Sequence, residues 1–286
     1  MKQTIALFTL VFICMTAFAQ NTEKQEQQKL KEPYYMIEFR AINCKFEILI
    51  NKVSLLMMNI NGQIGSEMPC NYLILESGEQ QLDIIVQPCT GESGFVESSE
   101  FSAKVNLYDV SNGFTLMEED IVACEMSDAD KTEASYKNTA YFNAEVPYQQ
   151  TAWRNSIDLN TVENLREKLE AAYKKIGDMI IQKQYDAFRN SMQEQESRMA
   201  VSMYLDEEES KKRMDELIED FQGGFELLPL SSTKTMHLYA NGKLACLRAE
   251  DGESVLQLYN KETEEEMTLD IMFHLKEGDT ELSVAP

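Results

Sequence analysis

The sequence predicts two domains, an N-terminal all-β antiparallel sandwich and a C-terminal α+β domain in which helices pack on a curved antiparallel sheet. Three observations predict this fold class. Short alternating runs fill residues 34–148, one long helical pattern covers residues 161–192, and more alternating runs follow residue 225. We therefore place the sandwich at residues 34–150, a linker at 151–160 and the α+β domain at 161–286.

Eight runs in the N-terminal half alternate between apolar and polar residues, which is typical of strands with one buried face. Asn61-Gly62 and Ser77-Gly78-Glu79 have the residue types of tight turns. Many short strands with no convincing helix between them predict an antiparallel sandwich. The eight runs are 34–41, 44–51, 53–58, 70–76, 81–87, 101–108, 114–126 and 140–148.

A two-residue turn at Gly78-Glu79 would fix the register of a hairpin and place Leu73 opposite Ile84. Cys70 and Cys89 then lie diagonally on the other face. That diagonal is close to the limit of about 7 Å between Cα atoms that a disulfide can span. The pattern therefore predicts a possible Cys70–Cys89 disulfide, provided that the end of the strand bends inward.

The remaining cysteines do not form a metal-binding pattern. Cys44 and Cys124 fall on apolar faces, so we expect them to form a bridge between sheets or to stay as buried thiols. Five cysteines follow residue 19, and an odd number leaves at least one thiol unpaired within the chain.

The helical pattern of residues 161–192 is interrupted near residues 182–184, which predicts a kink or a short second helix. Asn160 or Thr161 is suited to cap its start. A second amphipathic helix is predicted at residues 207–221, where Gly223-Gly224 would end it. Its apolar stripe, like that of the long helix, requires a partner surface.

Six alternating runs follow the helices, and Asn241-Gly242 and Asp251-Gly252 between them are strong hairpin signals. The order of elements in residues 165–286 resembles the nuclear-transport-factor-like (cystatin-like) cone fold, and residues 242–245 and 254–258 look like its paired central strands. The resemblance implies a protein that is either non-catalytic or carries its chemistry in the mouth of the cone. The runs are 225–230, 235–240, 243–249, 255–259, 267–275 and 280–284.

The N-terminus has the features of a secretory signal peptide over residues 1–19. Lys2 precedes an apolar run at residues 5–17, and Ala17-Phe18-Ala19 suits cleavage after Ala19. Cys14 raises the alternative of a lipid anchor, although Val-Phe-Ile precedes it where small residues are required. We expect a flexible tether at residues 20–33 and a protein exported to the periplasm or the cell exterior. The chain as a whole resembles an uncharacterised exported bacterial protein of two domains.

The chain has 26 basic and 49 acidic residues, a net charge of −23. Nucleic acid is disfavoured as a partner because phosphate binding needs basic surface. The acidity indicates either a well-solvated surface or electrostatic steering of a basic protein partner. Outside the signal segment, no apolar run reaches the length of about 20 residues that a transmembrane helix needs.

Side chains capable of catalysis are few. His237 and His274 are the only histidines, and both fall in predicted strands without a spaced acid or serine partner. Asp128 with Asp130 and Glu277 with Asp279 do not follow the spacing of a calcium loop. The sequence therefore predicts no catalytic residues, no metal site and no cofactor.

These patterns favour a non-catalytic exported binding protein, in its most specific form an immunity-type protein that holds a basic toxin in the periplasm. Two alternatives stay open. One is a glycan-binding or cell-surface accessory module that uses Tyr34, Tyr35, Tyr148 and Trp153, and the other is an enzyme with its site in the C-terminal cone. The predicted partner-binding residues are Asp206, Glu207, Glu208, Glu209 and Trp153.

Overall fold

One long strand, β1 (Pro33–Ile50), organises the N-terminal half of the computed structural model, which describes residues 30–230 and 233–286. It forms a hairpin with β2 (Val53–Pro69) through Asn51 and Lys52, which both have positive φ as a tight hairpin turn requires. The other edge of β1 is shared by two strands. β4 (Glu100–Asp109) pairs with residues 33–42, and β3 (Gly78–Gln87) pairs with residues 45–50.

Two outer strands complete this sheet. β5 (Thr115–Glu125) pairs with β4, and β6 (Tyr136–Ala144) pairs with β3. The result is a six-stranded antiparallel sheet in the order β5-β4-β1-β3-β6, with β2 paired to β1. The prediction of an antiparallel β half is confirmed, but these strands form one curled sheet instead of the two stacked sheets of a sandwich.

A β-bulge at Asn43 curls the sheet. The pairing with β2 shifts between Ile42 and Cys44, and Asn43 has a φ of 44°. Before the bulge the odd-numbered residues of β1 are buried, and after it the even-numbered ones are, so both halves of the strand face the same core. The rings of Phe39 and Phe46 consequently lie 5.4 Å apart although the bulge separates them.

Three local predictions in this half are wrong. Residues 70–76 do not form a strand, because Asn71–Leu73 is a 3-10 turn. The hairpin predicted at Gly78-Glu79 is absent, since Ile84 pairs with Ile48 and Asn138. Asn61-Gly62 lies within β2 opposite the Asn43 bulge and makes no chain reversal.

Three α-helices follow in the described residues: α1 (Leu165–Ile181), α2 (Tyr185–Met203) and α3 (Glu207–Gln222). The predicted break at residues 182–184 is confirmed, with Lys183 at positive φ. α2 also includes residues 193–197, which have little apolar character.

The predicted N-cap of the first helix is wrong. Asn160 and Thr161 belong to a 3-10 turn, Leu159–Thr161, which the side chain of Asp158 caps by accepting from Asn160 N. Asn164 is the residue that precedes α1, and it has positive φ. The predicted end of α3 is confirmed, because Gly223 caps it.

Seven short strands form two further antiparallel sheets, in the orders β11-β10-β7 and β13-β12-β9-β8. The two central strands that were predicted to pair, β9 and β10, lie in different sheets. Between them the structure has one isolated bridge, which joins Arg248 and Ser254. The strands are β7 (Phe225–Leu227), β8 (Lys234–Tyr239), β9 (Leu244–Ala249), β10 (Leu256–Asn260), β11 (Glu265–Leu269), β12 (Phe273–His274) and β13 (Ser283–Val284).

The helices bury their apolar stripes against these two sheets. Tyr173, Ile176 and Phe188 are buried in one cluster with residues of β9, β10 and β12. The ring of Tyr173 meets that of Phe273 edge to face at 4.8 Å, and Phe188 meets Phe221 in the same way at 5.3 Å. The space between the helices and the sheets is therefore filled by side chains.

Residues 31–286 form one compact unit. Tyr239 and Leu244 from the C-terminal strands join the hydrophobic cluster of the N-terminal sheet. The predicted linker at 151–160 forms part of this unit, since Trp153 and Leu159 are buried in it. The predicted signal peptide and residues 20–29 of the predicted tether lie outside the described residues.

Candidate functional site

Phe114 stands out on the surface because of its backbone and its exposure. After β4 the chain makes a 3-10 turn, Val110–Asn112, which the side chain of Asp109 caps by accepting from Ser111 N at 3.1 Å. Gly113 ends the turn in the left-handed region, and Phe114 follows with a φ of 56°. Its side chain is 46% exposed. A bulky residue at positive φ is strained, and such strain is concentrated at functional sites.

The ring of Phe114 lies on Tyr108. Their centroids are 4.7 Å apart and their planes are 16° from parallel. The Tyr108 hydroxyl donates to both carboxylate oxygens of Glu67, at 2.9 and 3.2 Å. Burial, the hydrogen bond to Glu67 and the nearby charges of Glu38 and Glu119 all raise the pKa of Tyr108. An exposed aromatic stack therefore lies within a field of negative charge.

Tyr34 connects this stack to the end of α2. Its ring meets Phe114 edge to face at 5.6 Å and lies 6.5 Å from the ring of Tyr204. The hydroxyl of Tyr204 donates to the carbonyl of Pro33 at 2.8 Å. We call this surface the aromatic–acidic face, and its members are Tyr34, Tyr108, Phe114, Tyr204, Glu38, Glu67 and Glu119.

The predicted partner-binding carboxylates begin at Asp206, two residues after Tyr204 in the chain. Asp206 and Glu209 form a capping box at the start of α3, in which each side chain accepts from the backbone N–H of the other at 2.8–2.9 Å. Glu207 and Glu208 are exposed and form no ion pair among the described residues. Their carboxylates are therefore free to contact a partner, whereas the other two have a structural role.

Trp153 is placed differently from the other predicted contact residues. Its side chain is only 6% exposed, and the guanidinium of Arg198 lies 5.2 Å from its ring centroid. Tyr35 is also buried, and the Tyr148 hydroxyl donates to the carbonyl of Asn71 at 3.1 Å. Of the four aromatic residues considered for glycan binding, Tyr34 is the one that belongs to the aromatic–acidic face.

The described cysteines are all free thiols. Cys70 Sγ lies 3.4 Å from the carbonyl oxygen of Tyr35, and Cys89 Sγ lies 3.2 Å from that of Ile60. Because the hairpin around residue 78 does not form, the geometry from which their pairing was predicted is absent. Burial raises the pKa of the Cys44 thiol to about 12, which leaves it protonated at neutral pH.

Both histidines are packed side chains. His274 Nδ1 lies 2.7 Å from Ser156 Oγ, and both residues are buried. The ring of His237 stacks on Tyr239, with centroids 6.1 Å apart. Burial lowers the pKa of each imidazole. The buried Ser156–His274 pair does not line any of the cavities that we describe.

The loop that contains Asp128 and Asp130 satisfies its carboxylates locally. Asp128 pairs with Lys131 at 2.8 Å, and Asp130 accepts from Ser127. Within residues 30–230 and 233–286, no group of three or more His, Cys, Asp and Glu side chains is arranged to hold a metal ion. No helix in that part of the chain has the length and apolar character to cross a membrane.

A polar groove of about 580 Å³ separates the start of β3 from the turn between β8 and β9. Glu76 and Arg154 form an ion pair at 2.6 Å on its wall. The hydrogen bond and charge of Arg154 hold the pKa of the Glu76 carboxyl below its usual value. Lys243, also on the wall, donates to the carbonyl of Ser156. These charged groups are partnered within the protein.

Comparison of this chain with protein-family models, with curated proteins and with solved structures finds no match.

Sequence reasoning missed the aromatic–acidic face because its members are distant in the chain. Tyr34 and Tyr204 are separated by 170 positions, and only tertiary packing brings them together. One local signal was present, since Asn112-Gly113 followed by an aromatic residue marks a turn that ends on a large side chain.

Proposed function

We propose that this protein is a non-catalytic binding protein that holds a cationic protein partner on the aromatic–acidic face. One observation carries the proposal: Phe114 is exposed, strained at positive φ and stacked on Tyr108, whose hydroxyl is fixed by Glu67. A strained residue persists only where the surrounding structure or function requires it. An exposed aromatic side chain held rigidly costs little further entropy on binding, as binding hot spots require.

The charge around the stack determines the kind of partner. The charges of Glu67, Glu38 and Glu119 act on Tyr108, with Glu38 also paired to Lys104 at 3.3 Å, and the exposed Glu207 and Glu208 follow Tyr204 at the start of α3. A lysine or arginine of the partner would lie over the aromatic faces and pair with these carboxylates. The net charge of −23 would also accelerate the encounter with a basic protein at low salt.

The most specific form of the proposal is an exported immunity-type protein that neutralises a basic toxin. Its support is the signal-like N-terminus, the acidity and the scarcity of catalytic side chains in the sequence. An enzyme with its site in the C-terminal half is less favoured, because Tyr173, Ile176 and Phe188 fill the space that such a site would need.

A glycan is the second candidate ligand, because an aromatic ring beside a carboxylate also suits a sugar ring. We favour the protein partner since Glu67, Glu119, Glu207 and Glu208 form no ion pair within the described chain, and four such carboxylates exceed what hydrogen bonding to one neutral sugar would use. The two candidates differ in salt dependence. Binding of a cationic protein weakens steeply as salt screens the charges, whereas stacking of a neutral glycan does not.

The test is affinity capture from an extract of the cells that express the chain, at low and at high salt, with Phe114→Gly and Tyr141→Ala as baits beside the wild type. Tyr141 is a matched control because it is 56% exposed and lies on β6, outside the aromatic–acidic face. We expect a basic protein that wild type and Tyr141→Ala retain at low salt and that Phe114→Gly loses. Three results would each refute the proposal. The first is equal capture by all three baits, and the second is binding of lysozyme, a generic basic protein, as strong as that of the captured protein. The third is a salt-independent signal on a glycan array.

A further inference from the structure

A small cavity lined by Trp153 has a buried cationic side chain, Arg198, on its wall. Arg198 on α2 is 9% exposed, and its guanidinium carbon lies 5.2 Å from the ring centroid of Trp153 and 5.8 Å from that of Tyr72. One terminal nitrogen donates to the carbonyl of Tyr72. The cavity has a volume of about 100 Å³, and β2, α2 and the segment after β11 line it.

Arg198 has no carboxylate partner among the described residues. Glu196, two positions earlier on α2, pairs with Arg213 at 2.7 Å. Asp270, on the cavity wall, pairs with Arg248 at 3.0 Å. Burial lowers the pKa of Arg198 to about 10, so the guanidinium remains charged at neutral pH. A buried charge without a counter-ion is costly, and contact with two aromatic rings offsets only part of that cost.

Three polar atoms of the residues that line this cavity are buried and lack a hydrogen-bond partner within the described chain: Arg198 Nε, Ser54 Oγ and Gln195 Oε1. Buried polar groups are almost always satisfied, so three of them on residues that line one cavity indicate a common ligand. Arg198 Nε and the Ser54 hydroxyl are donors. The amide of Gln195 can present its NH₂ group instead of its oxygen, because the two are interchangeable by a flip.

We propose that this cavity binds a small monocarboxylate, with the carboxylate accepting from Arg198 Nε, Ser54 Oγ and the Gln195 amide. A planar carboxylate matches the geometry of a guanidinium and supplies the missing negative charge. Water alone would satisfy the polar atoms but leave the charge uncompensated. The cavity volume of about 100 Å³ well exceeds the roughly 10–15 Å³ that one water molecule requires, so a small carboxylate such as formate or acetate has room in it.

The site is separate from the aromatic–acidic face and does not depend on the proposed partner. It lies where β2, α2 and the C-terminal strands meet, so an occupant would join three parts of the fold. Binding to the folded chain alone would raise the temperature of unfolding by mass action.

The chain reports on this cavity directly because Trp153 is its only tryptophan and lies on the cavity wall. The experiment titrates sodium formate and sodium acetate into the full chain at constant ionic strength, maintained with sodium chloride, and records Trp153 emission. Cyclohexanecarboxylate serves as the bulky control. We expect a saturable change with formate and acetate, together with a higher unfolding temperature, and none with the bulky acid.

The variants are Arg198→Lys, Ser54→Ala and, as the matched control, Arg154→Lys. Arg154 is adjacent to Trp153 in sequence but is exposed and paired with Glu76. We expect Arg198→Lys and Ser54→Ala each to weaken acetate binding about tenfold, the equivalent of one charge-assisted hydrogen bond, and Arg154→Lys to leave it unchanged. If Arg198→Lys does not fold, as judged by circular dichroism, the Ser54→Ala titration decides.

Two results would overturn the proposal. One is a linear, non-saturating response that is the same in wild type and Ser54→Ala, which would mean that the cavity holds only water. The other is an equal saturable response to chloride or to cyclohexanecarboxylate, since neither fits a cavity selective for a small planar carboxylate.

Discussion

The hydroxyl of Tyr173 on α1 donates to the carbonyl oxygen of Ile271 at 2.7 Å. The hydroxyl oxygen of Tyr173 itself accepts from Leu247 N on β9 at 3.1 Å, so one buried side chain ties the helix to two segments of the C-terminal half. Tyr173→Phe would leave both backbone groups without a partner. We expect its free energy of unfolding to fall by about 1–3 kcal/mol, measured by urea denaturation.

The control for that measurement is Tyr141→Phe, which removes an exposed hydroxyl and should change stability by less than about 0.5 kcal/mol. Equal effects of the two substitutions would contradict the role of Tyr173 as a buried hydrogen-bonding link.

The strain at Phe114 is tested by comparing Phe114→Ala with Phe114→Gly. Both variants lose the ring and its stack on Tyr108, so they differ only in the cost of a Cβ at a φ of 56°. We expect the glycine variant to be more stable by about 1 kcal/mol, because left-handed backbone penalises residues with a Cβ. Greater stability of Phe114→Ala in chemical denaturation would show that this conformation is not strained.

The carboxylates beside Tyr204 are tested by charge removal at matched sites. Glu207→Gln with Glu208→Gln removes two charges that follow Tyr204, and Glu264→Gln with Glu265→Gln removes two at the start of β11. Only the first pair should lower the association rate of the captured partner, by about threefold to tenfold at low salt. If both pairs lowered the association rate equally in stopped-flow measurements, Glu207 and Glu208 would act only through the net charge of the protein.

The pH dependence of stability should contain a contribution from His274. Burial first, and the charge of Lys276 second, lower the pKa of the folded imidazole, so the unfolded chain binds the proton more readily. Stability from this group is full above the ordinary pKa of about 6.5 and is lost as the pH falls from that value through the lowered pKa of the folded protein. Between pH 7 and pH 5, wild type should lose more stability than His274→Gln in urea titrations.

His237 complicates that comparison because burial lowers its pKa too. Nuclear magnetic resonance separates the two, since the chain has only two histidines. A His274 resonance that titrates at or above the ordinary value would contradict the prediction.

The thiols provide a test of the Cys70–Cys89 pairing. With free cysteines throughout the described residues, the unfolded and unreduced chain should react with iodoacetamide at all five positions from Cys44 to Cys246. In the native protein Cys89 should react first, because it alone is partly exposed. Two unreactive thiols in the unfolded chain, recovered after reduction and mapped to Cys70 and Cys89, would establish the disulfide.

The sequence predicted elements where the periodicity was local and long. The break at residues 182–184 and the end of α3 at Gly223 follow from side-chain spacing and from the residue types that stop helices. The capping box of Asp206 and Glu209 has the same local character. These features depend on neighbours in the chain, so the sequence contains enough information to place them.

Features that depend on distant neighbours were not predictable in this way. The bulge at Asn43 joins two apparent strands into β1, because a phase shift in the alternation looks like a strand end. Leu73 and Leu75 alternate like strand residues, yet they belong to a 3-10 turn and the coil that follows it. Trp153 was predicted to contact a partner because it is an aromatic residue near a predicted domain end, whereas the fold buries it against Arg198.

The most direct test of the central claim is the dissociation constant of the captured partner, measured by isothermal titration calorimetry with wild type, Phe114→Gly and Tyr141→Ala. The account predicts that Phe114→Gly weakens binding about 30-fold or more, the loss typical of a hot-spot side chain, and that Tyr141→Ala changes it by less than about twofold. Wild-type affinity in Phe114→Gly would show that the aromatic–acidic face does not bind the partner.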